Sequence, residues 1–513
     1  MNPLMHKAAP AAAITFLMTG TAAYADVTAS DVWSDWTSYM AGFGYQVSGE
    51  ESQSGDTLTV TDVTMSMEVE DGDDSTVAMQ TKLGTFELIE NGDGAVSMIL
   101  PEVMPITMAF TDETDTSATI QMEYRTSGLD MTVSGDPGAM TYDYKADAMT
   151  FALVDVEAPD EDVDIGTMEM TVSDVTGRAD VTTEGELRST QGTMSSGPVT
   201  YTVDFTDPST GERLQGTGTY TNFSYTGAAT TPVGMGDSMD MPNMLAAGFD
   251  MNGQFEHGGG STEFSFTEAD QAVSGTTQTA RGSLDIAMSD KGLSYSGSAN
   301  DIKVAISGDQ IPFPVEMNMK NSGFGLTMPV SSSEEPQDFA FSMLFGDFTI
   351  SEQIWAMFDP AGQLPRDPAT LSIDLAGKAK MLVDMMDPEA MEEVDSGDQT
   401  FGELNALTIN DITVRAAGAE LTGEGDFIFD NSDLTSFDGM PAPEGEVDLK
   451  LVGGNGLLDK LVSMGLLPED QAMGARMMMG LFAVPSEDEE DTLTSTIVVN
   501  EEGHVLANGQ RLK

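Results

Sequence analysis

The chain has 513 residues, 40% of them apolar, and sets 20 Lys and Arg against 86 Asp and Glu for a net charge of −66. That apolar share excludes charge-driven disorder, and the acidity disfavours nucleic acid and anionic membrane surfaces as partners. Cysteine is absent, which excludes disulfides, thiolate metal sites, a Cys nucleophile and a lipid anchor on a Cys behind an export signal.

Residues 1–25 have the layout of a cleavable signal peptide. His6 and Lys7 precede an apolar run through Met18, and Ala23-Tyr24-Ala25 stands before Asp26. The mature chain is expected to begin at Asp26 and to reside in the periplasm. No later segment holds the roughly 18–20 continuous apolar residues of a spanning helix, so no transmembrane anchor is expected after cleavage.

Asp26–Phe43 is predicted to be a short amphipathic helix. Thr28 or Ser30 can cap it, Asp31 suits its first turn, and Val32, Trp33, Trp36, Tyr39, Met40 and Phe43 recur at helical spacing. From Tyr45 the period becomes two. Leu58 and Val60 alternate, the phase slips, and Val63, Met65, Met67 and Val69 continue, as a bulge would produce. Phe86 and Leu88 lead into Asn91-Gly92-Asp93-Gly94, and Val96, Met98 and Leu100 lead out, which predicts a hairpin. Further turns are expected at Ser127-Gly128 and at Gly135-Asp136-Pro137-Gly138. Strands follow around Met140–Tyr144, Met168–Val172 and Val199–Phe205.

Thr226–Met241 is rich in small residues and short of large apolar groups, so an internal boundary is placed there. An N-terminal β region spans 26–230 and a C-terminal β region spans 238–513. The second region opens on a brief helix near Met241–Phe249. It runs through alternating segments at Phe264, Leu284, Ile302, Met317 and Phe324, a helix at Ser351–Phe358, and strands at Leu371–Leu375, Leu407–Val414 and Gly445–Val452. Gly456–Leu467 and the segment after Pro468 are predicted to be two helices, with Met473, Met477 and Leu481 along one stripe. Leu493–Val499 and Val505–Ala507 form a last hairpin. The fold class expected is mainly β: a large curved antiparallel sheet or incomplete barrel, with a short N-terminal helix and a C-terminal helical hairpin as its cap.

Few residues suggest chemistry. Outside the signal the only histidines are His257 and His504, neither with a metal-spaced partner. Asp160, Asp162 and Asp164 with Gly166 resemble the start of a calcium loop. However, Ile165 intervenes before the glycine and Thr171 stands where the closing Glu is required. Asp71, Asp73 and Asp74 are weaker still. The Met-x-Met pairs Met65/Met67, Met168/Met170 and Met317/Met319 place two thioethers on one strand face. Copper(I) accepts such ligands, but these positions alternate in register with Val, Leu and Phe, as core residues do. Flexible, polarisable Met also suits an apolar ligand such as an acyl chain.

Several segments are similar to one family: Ala25-Asp26-Val27-Thr28 with the Trp-containing helix behind it, Phe86–Pro101 with its Gly-Asp-Gly turn, Trp355–Ile373, and Asn455–Lys513 with Ala507-Asn508-Gly509-Gln510-Arg511. Together they resemble domain-of-unknown-function family 2125, exported proteins of alphaproteobacterial type. The resemblance covers nearly the whole mature chain. It implies an envelope location and brings neither an activity nor a set of functional residues.

The function expected is therefore non-catalytic, with no metal or cofactor. Lipid or another apolar ligand would lie on a Met-rich sheet face at Met65, Met67, Met168, Met170, Met317 and Met319. The alternatives are a structural or protein-interaction module of the cell envelope, or a weak calcium binder.

Overall fold

The computed structural model describes residues 26–71, 75–111, 117–157, 166–207, 210–233, 241–268, 271–397 and 399–513. The signal segment, Asp160, Asp162, Asp164, Asp73, Asp74 and residues 234–240 of the boundary segment lie outside the described residues.

Helix α1 (Ala29–Ala41) starts at Thr28 with reciprocal hydrogen bonds. The Asp31 N–H donates to the Thr28 hydroxyl at 3.2 Å and the Thr28 N–H donates to the Asp31 carboxylate at 3.0 Å, closing two donors that the helix cannot satisfy itself. Trp33 and Trp36 stack at 5.4 Å, and both meet the ring of Phe86 in edge-to-face contacts.

The strands come in three runs. The first comprises β1 (Gln46–Ser54), β2 (Thr57–Asp71), β3 (Ser75–Glu90), β4 (Val96–Ile99), β5 (Val103–Thr111), β6 (Ser117–Ser127), β7 (Asp130–Asp136), β8 (Ala139–Glu157) and β9 (Thr167–Glu184). The second holds β10 (Leu187–Ser195), β11 (Val199–Thr206), β12 (Arg213–Thr221), β13 (Ser224–Pro232), helix α2 (Met241–Ala246), β14 (Asp250–His257), β15 (Gly259–Glu268), β16 (Gln271–Thr279) and β17 (Arg281–Ser289). Longer strands return in β18 (Gly292–Gly308), β19 (Val315–Met328) and β20 (Gln337–Ile350). Helix α3 (Glu352–Phe358), β21 (Ala369–Met381), helix α4 (Pro388–Asp395), β22 (Gly402–Ala416), β23 (Ala419–Asp430) and β24 (Ala442–Val452) follow. Helices α5 (Gly454–Ser463) and α6 (Glu469–Phe482) precede the short β25 (Val484–Pro485), β26 (Thr492–Val499), β27 (Val505–Ala507) and β28 (Gln510–Arg511).

All strands join one antiparallel sheet, 63% of the described residues being strand and 12% helix. Long strands span the full width of this ribbon. Between them, shorter strands share a rank end to end: β4 and β7 beside β5 and β6, then β10, β13, β14 and β17 beside β11, β12, β15 and β16. About twenty ranks at ~4.8 Å each give a ladder roughly 100 Å long. The sheet does not close into a barrel. Thr226–Pro232, inside the small-residue boundary segment, is strand, and β13 pairs with both β10 and β14. The turn expected at Ser127-Gly128 does not join two paired strands. It carries the chain from one half of the ribbon to the other, because β6 and β7 each pair with β8 rather than with one another.

A crease separates those halves. Asp62 in β2, Asp174 in β9, Asp301 in β18 and Asp347 in β20 adopt φ of 49–52°, a left-handed conformation that Asp tolerates better than most residues. One such residue resets the two-residue alternation, so Val60 gives way to Val63, and Val172 to Val175, on the same face. The phase slip expected after Val60 is this crease.

The two faces differ sharply in chemistry. The outer face is a ladder of hydroxyl pairs, such as Thr150–Thr171 at 2.9 Å and Ser283–Ser298 at 2.8 Å, interspersed with ion pairs such as Arg213–Asp204 at 2.7 Å. The inner face is apolar. At its N-terminal end Leu58, Val60, Val63, Phe86, Leu88, Val96, Met98 and Val133 are buried with Val32 and Trp33 of α1, forming the main core. A smaller core gathers Met244, Leu245, Phe249 and Val330 around α2. Elsewhere among the described residues the sheet carries no further buried apolar cluster of this kind. The accessible surface is 29995 Å², against about 18,000 Å² for a compact monomer of this mass.

Candidate functional site

Away from the small core around α2, the inner face between β8 and β22 is the feature that the fold leaves uncovered. Cross-strand pairing aligns its residues rank by rank: Phe151 opposite Met170, Met170 opposite Tyr201, Phe205 opposite Leu214, Leu214 opposite Phe266. Farther along, Tyr295 stands opposite Leu326 and Leu326 opposite Phe341. Phe151, Met168, Met170, Phe205, Leu214, Phe266, Tyr295, Phe324, Phe341, Phe345 and Val414 are each 37–48% exposed. Isolated exposed apolar residues are ordinary, but a contiguous run on one face of a monomer is not.

Glycines shape this face as much as side chains do. Tyr201 lies over Gly218 and Tyr220 over Gly260, so closely that a Cβ would come within 2.3 Å and 2.2 Å of the rings. The aromatic ring takes the space of the missing side chain and flattens the floor. From β18 to β24 the residues aligned on the inner face include no charged side chain.

The six methionines singled out from the sequence all fall on this face, and on the same half of the crease. Met65 packs against the α1 core and Met67 stands opposite Met79. Met168 and Met170 are open, while Met317 and Met319 are half-buried opposite Val304 and Ile302. Five ladder steps separate the first pair from the second and six separate the second from the third, roughly 24 and 29 Å. They are parts of one long surface rather than one ligand set. The aromatic side chains, which outnumber them on the open stretch, were the part missed. Their signal was the same alternation, present at Tyr201, Phe205, Phe266 and Phe324 in strands the sequence already marks, but only the methionines were expected to line a ligand.

Charge enters the inner face chiefly at its N-terminal end. Arg188 of β10 pairs with Asp35 of α1, each side chain about nine-tenths buried. The guanidinium also lies 4.7 Å over the ring of Tyr39. Tyr142 of β8 donates to Asp35 at 2.6 Å; burial and the Asp35 carboxylate push its phenol far above the usual value. Arg188, Asp35 and Tyr39 line a cleft of about 340 Å³ with Asp31, Thr183 and Thr231, and together with Tyr142 they latch α1 to the sheet. His257 sits edge-on to Tyr220 at 4.9 Å; burial lowers its pKa, so the imidazole is neutral at pH 7. His504 pairs with Glu502 at 3.1 Å in a terminal turn. Among the described residues, no group of three His, Asp or Glu is placed to hold a metal ion, and no helix is long and apolar enough to cross a membrane.

No curated protein matches this chain. A family model described as "Uncharacterized protein conserved in bacteria (DUF2125)" matches residues 242–510, from α2 to the last strand. That match takes in more than half of the chain, including the open inner face from β14 onward, and the protein therefore belongs to the DUF2125 family.

Proposed function

We propose that this protein is an exported, non-catalytic carrier that holds lipid acyl chains, or apolar molecules like them, along the inner face of its sheet. The supporting observation is the exposed run of Met, Phe, Tyr and Leu from β8 to β22, on a ribbon whose opposite face is mainly hydroxyl and charged side chains. Each methylene fully removed from water contributes about 0.8 kcal/mol. A long chain lying along this floor gains several such increments even when half-covered. Flexible Met and ring-over-glycine pairs accept a mobile ligand without demanding one shape. The signal-like residues 1–25 support a periplasmic location.

Native mass spectrometry after gentle extraction tests the reading. Co-purified phospholipid or fatty acid is expected, together with uptake of an apolar fluorescent dye by delipidated protein. A clean apo mass with no dye uptake would remove the carrier and leave a structural or interaction module.

A further inference from the structure

Helix α6 carries a second apolar surface. Met473, Met477 and Leu481 recur every four residues with Met478 beside them, and they face outward rather than toward the sheet. Met473 is 65% and Met477 73% exposed, and Leu466 just before the helix is half exposed. Only Ala472 of the helix is buried. The stripe expected to cap the sheet is therefore turned away from it.

The helix is nonetheless fixed in place. The Ser495 hydroxyl donates to the Phe482 carbonyl at 2.5 Å and the Asn508 side-chain amide donates to the same oxygen at 3.0 Å. Ser495 lies on the inner face of β26, opposite Leu449. The outward stripe thus stands at the C-terminal end of the apolar floor.

Two properties select its occupant. The chain carries a net charge of −66, and the acidic run Glu487–Asp491 follows the helix, so an anionic surface or a second copy of this chain is repelled. The five exposed side chains amount to about 500 Å², above what scattered surface residues present but below the roughly 800 Å² per partner of a stable protein interface. A neutral bilayer needs neither opposite charge nor that area.

We propose that α6 is a membrane-docking helix. Met473, Met477, Met478 and Leu481 enter the headgroup–acyl boundary of a zwitterionic bilayer and bring the end of the inner face to the lipid. This rests on the carrier reading.

The test compares the full mature protein with a Met473→Gln, Met477→Gln, Leu481→Gln variant. Both are floated with phosphatidylcholine vesicles, and uptake of a fluorescent phospholipid is timed. The positions are exposed, so unchanged circular dichroism and melting are expected. The variant should associate with vesicles at least tenfold more weakly and load lipid correspondingly more slowly, yet reach the same final lipid content. Equal flotation of the two proteins, or a wild type that does not float, would overturn the docking role. Self-association that the variant abolishes would overturn it in favour of a second copy. Flotation that depends on α6 without any lipid uptake would sustain docking and sink the carrier.

Discussion

Phe86→Ala is expected to lower the unfolding free energy by about 3–5 kcal/mol, and Phe324→Ala by about 1 kcal/mol or less. Phe86 is 1% exposed and sits edge-on to Trp33 and Trp36, so truncation leaves a cavity beneath α1 that the surrounding strands cannot fill. Phe324 also belongs to a central strand, β19, but it is 43% exposed, with Tyr295 at 5.1 Å and Met343 as its cross-strand neighbour on β20. Removing it opens no cavity and gives up a half-wet contact. Urea unfolding of the two variants measures the contrast. Similar losses would mean that something covers the middle of the inner face.

Arg188→Ala should cost about 3 kcal/mol, because it leaves the mostly buried Asp35 carboxylate without its counter-charge. Its two side chains are 11% and 12% exposed, and Tyr142 depends on the same carboxylate. Replacing both charges, Arg188→Met with Asp35→Leu, removes the stranded ion and should recover most of the loss. Since the pair joins α1 to β10, the single variant should also red-shift the fluorescence of Trp33 and Trp36 as the helix loosens. A single variant as stable as wild type would show that the latch holds nothing.

Both contrasts follow from a division that was partly legible in the sequence. Helix α1 was, because Thr28 and Asp31 cap it and its aromatics recur at helical spacing. The Asn91–Gly94 hairpin was, because only a tight turn asks for that series. The crease was visible at Asp62 as a slip of phase. Strands β12, β13 and β16 were not, because Gly and Thr carry no apolar period; their ladders hold them, and neighbouring rings fill the space above Gly218, Gly227 and Gly275. The sharing of ranks by short strands was hidden as well, since it depends on pairings such as β12 with β15 that skip along the chain. Alternation told which residues share a face, and Met65 to Met319 do share one. What alternation cannot tell is whether a second layer covers that face. The C-terminal helices were expected to cover more than they do, because a stripe such as Met473, Met477 and Leu481 reads alike whether it faces protein or solvent.

The most direct test asks where lipid lies on the ribbon. With no native cysteine in the chain, a single introduced one can carry a benzophenone label at Met170→Cys or Phe324→Cys on the inner face, or at Thr171→Cys or Asn318→Cys on the outer face. After illumination of protein loaded with phospholipid, covalent lipid adducts are expected at positions 170 and 324 and not at 171 or 318. Adducts on both faces alike, or on neither, would contradict a carrier that works through its inner face.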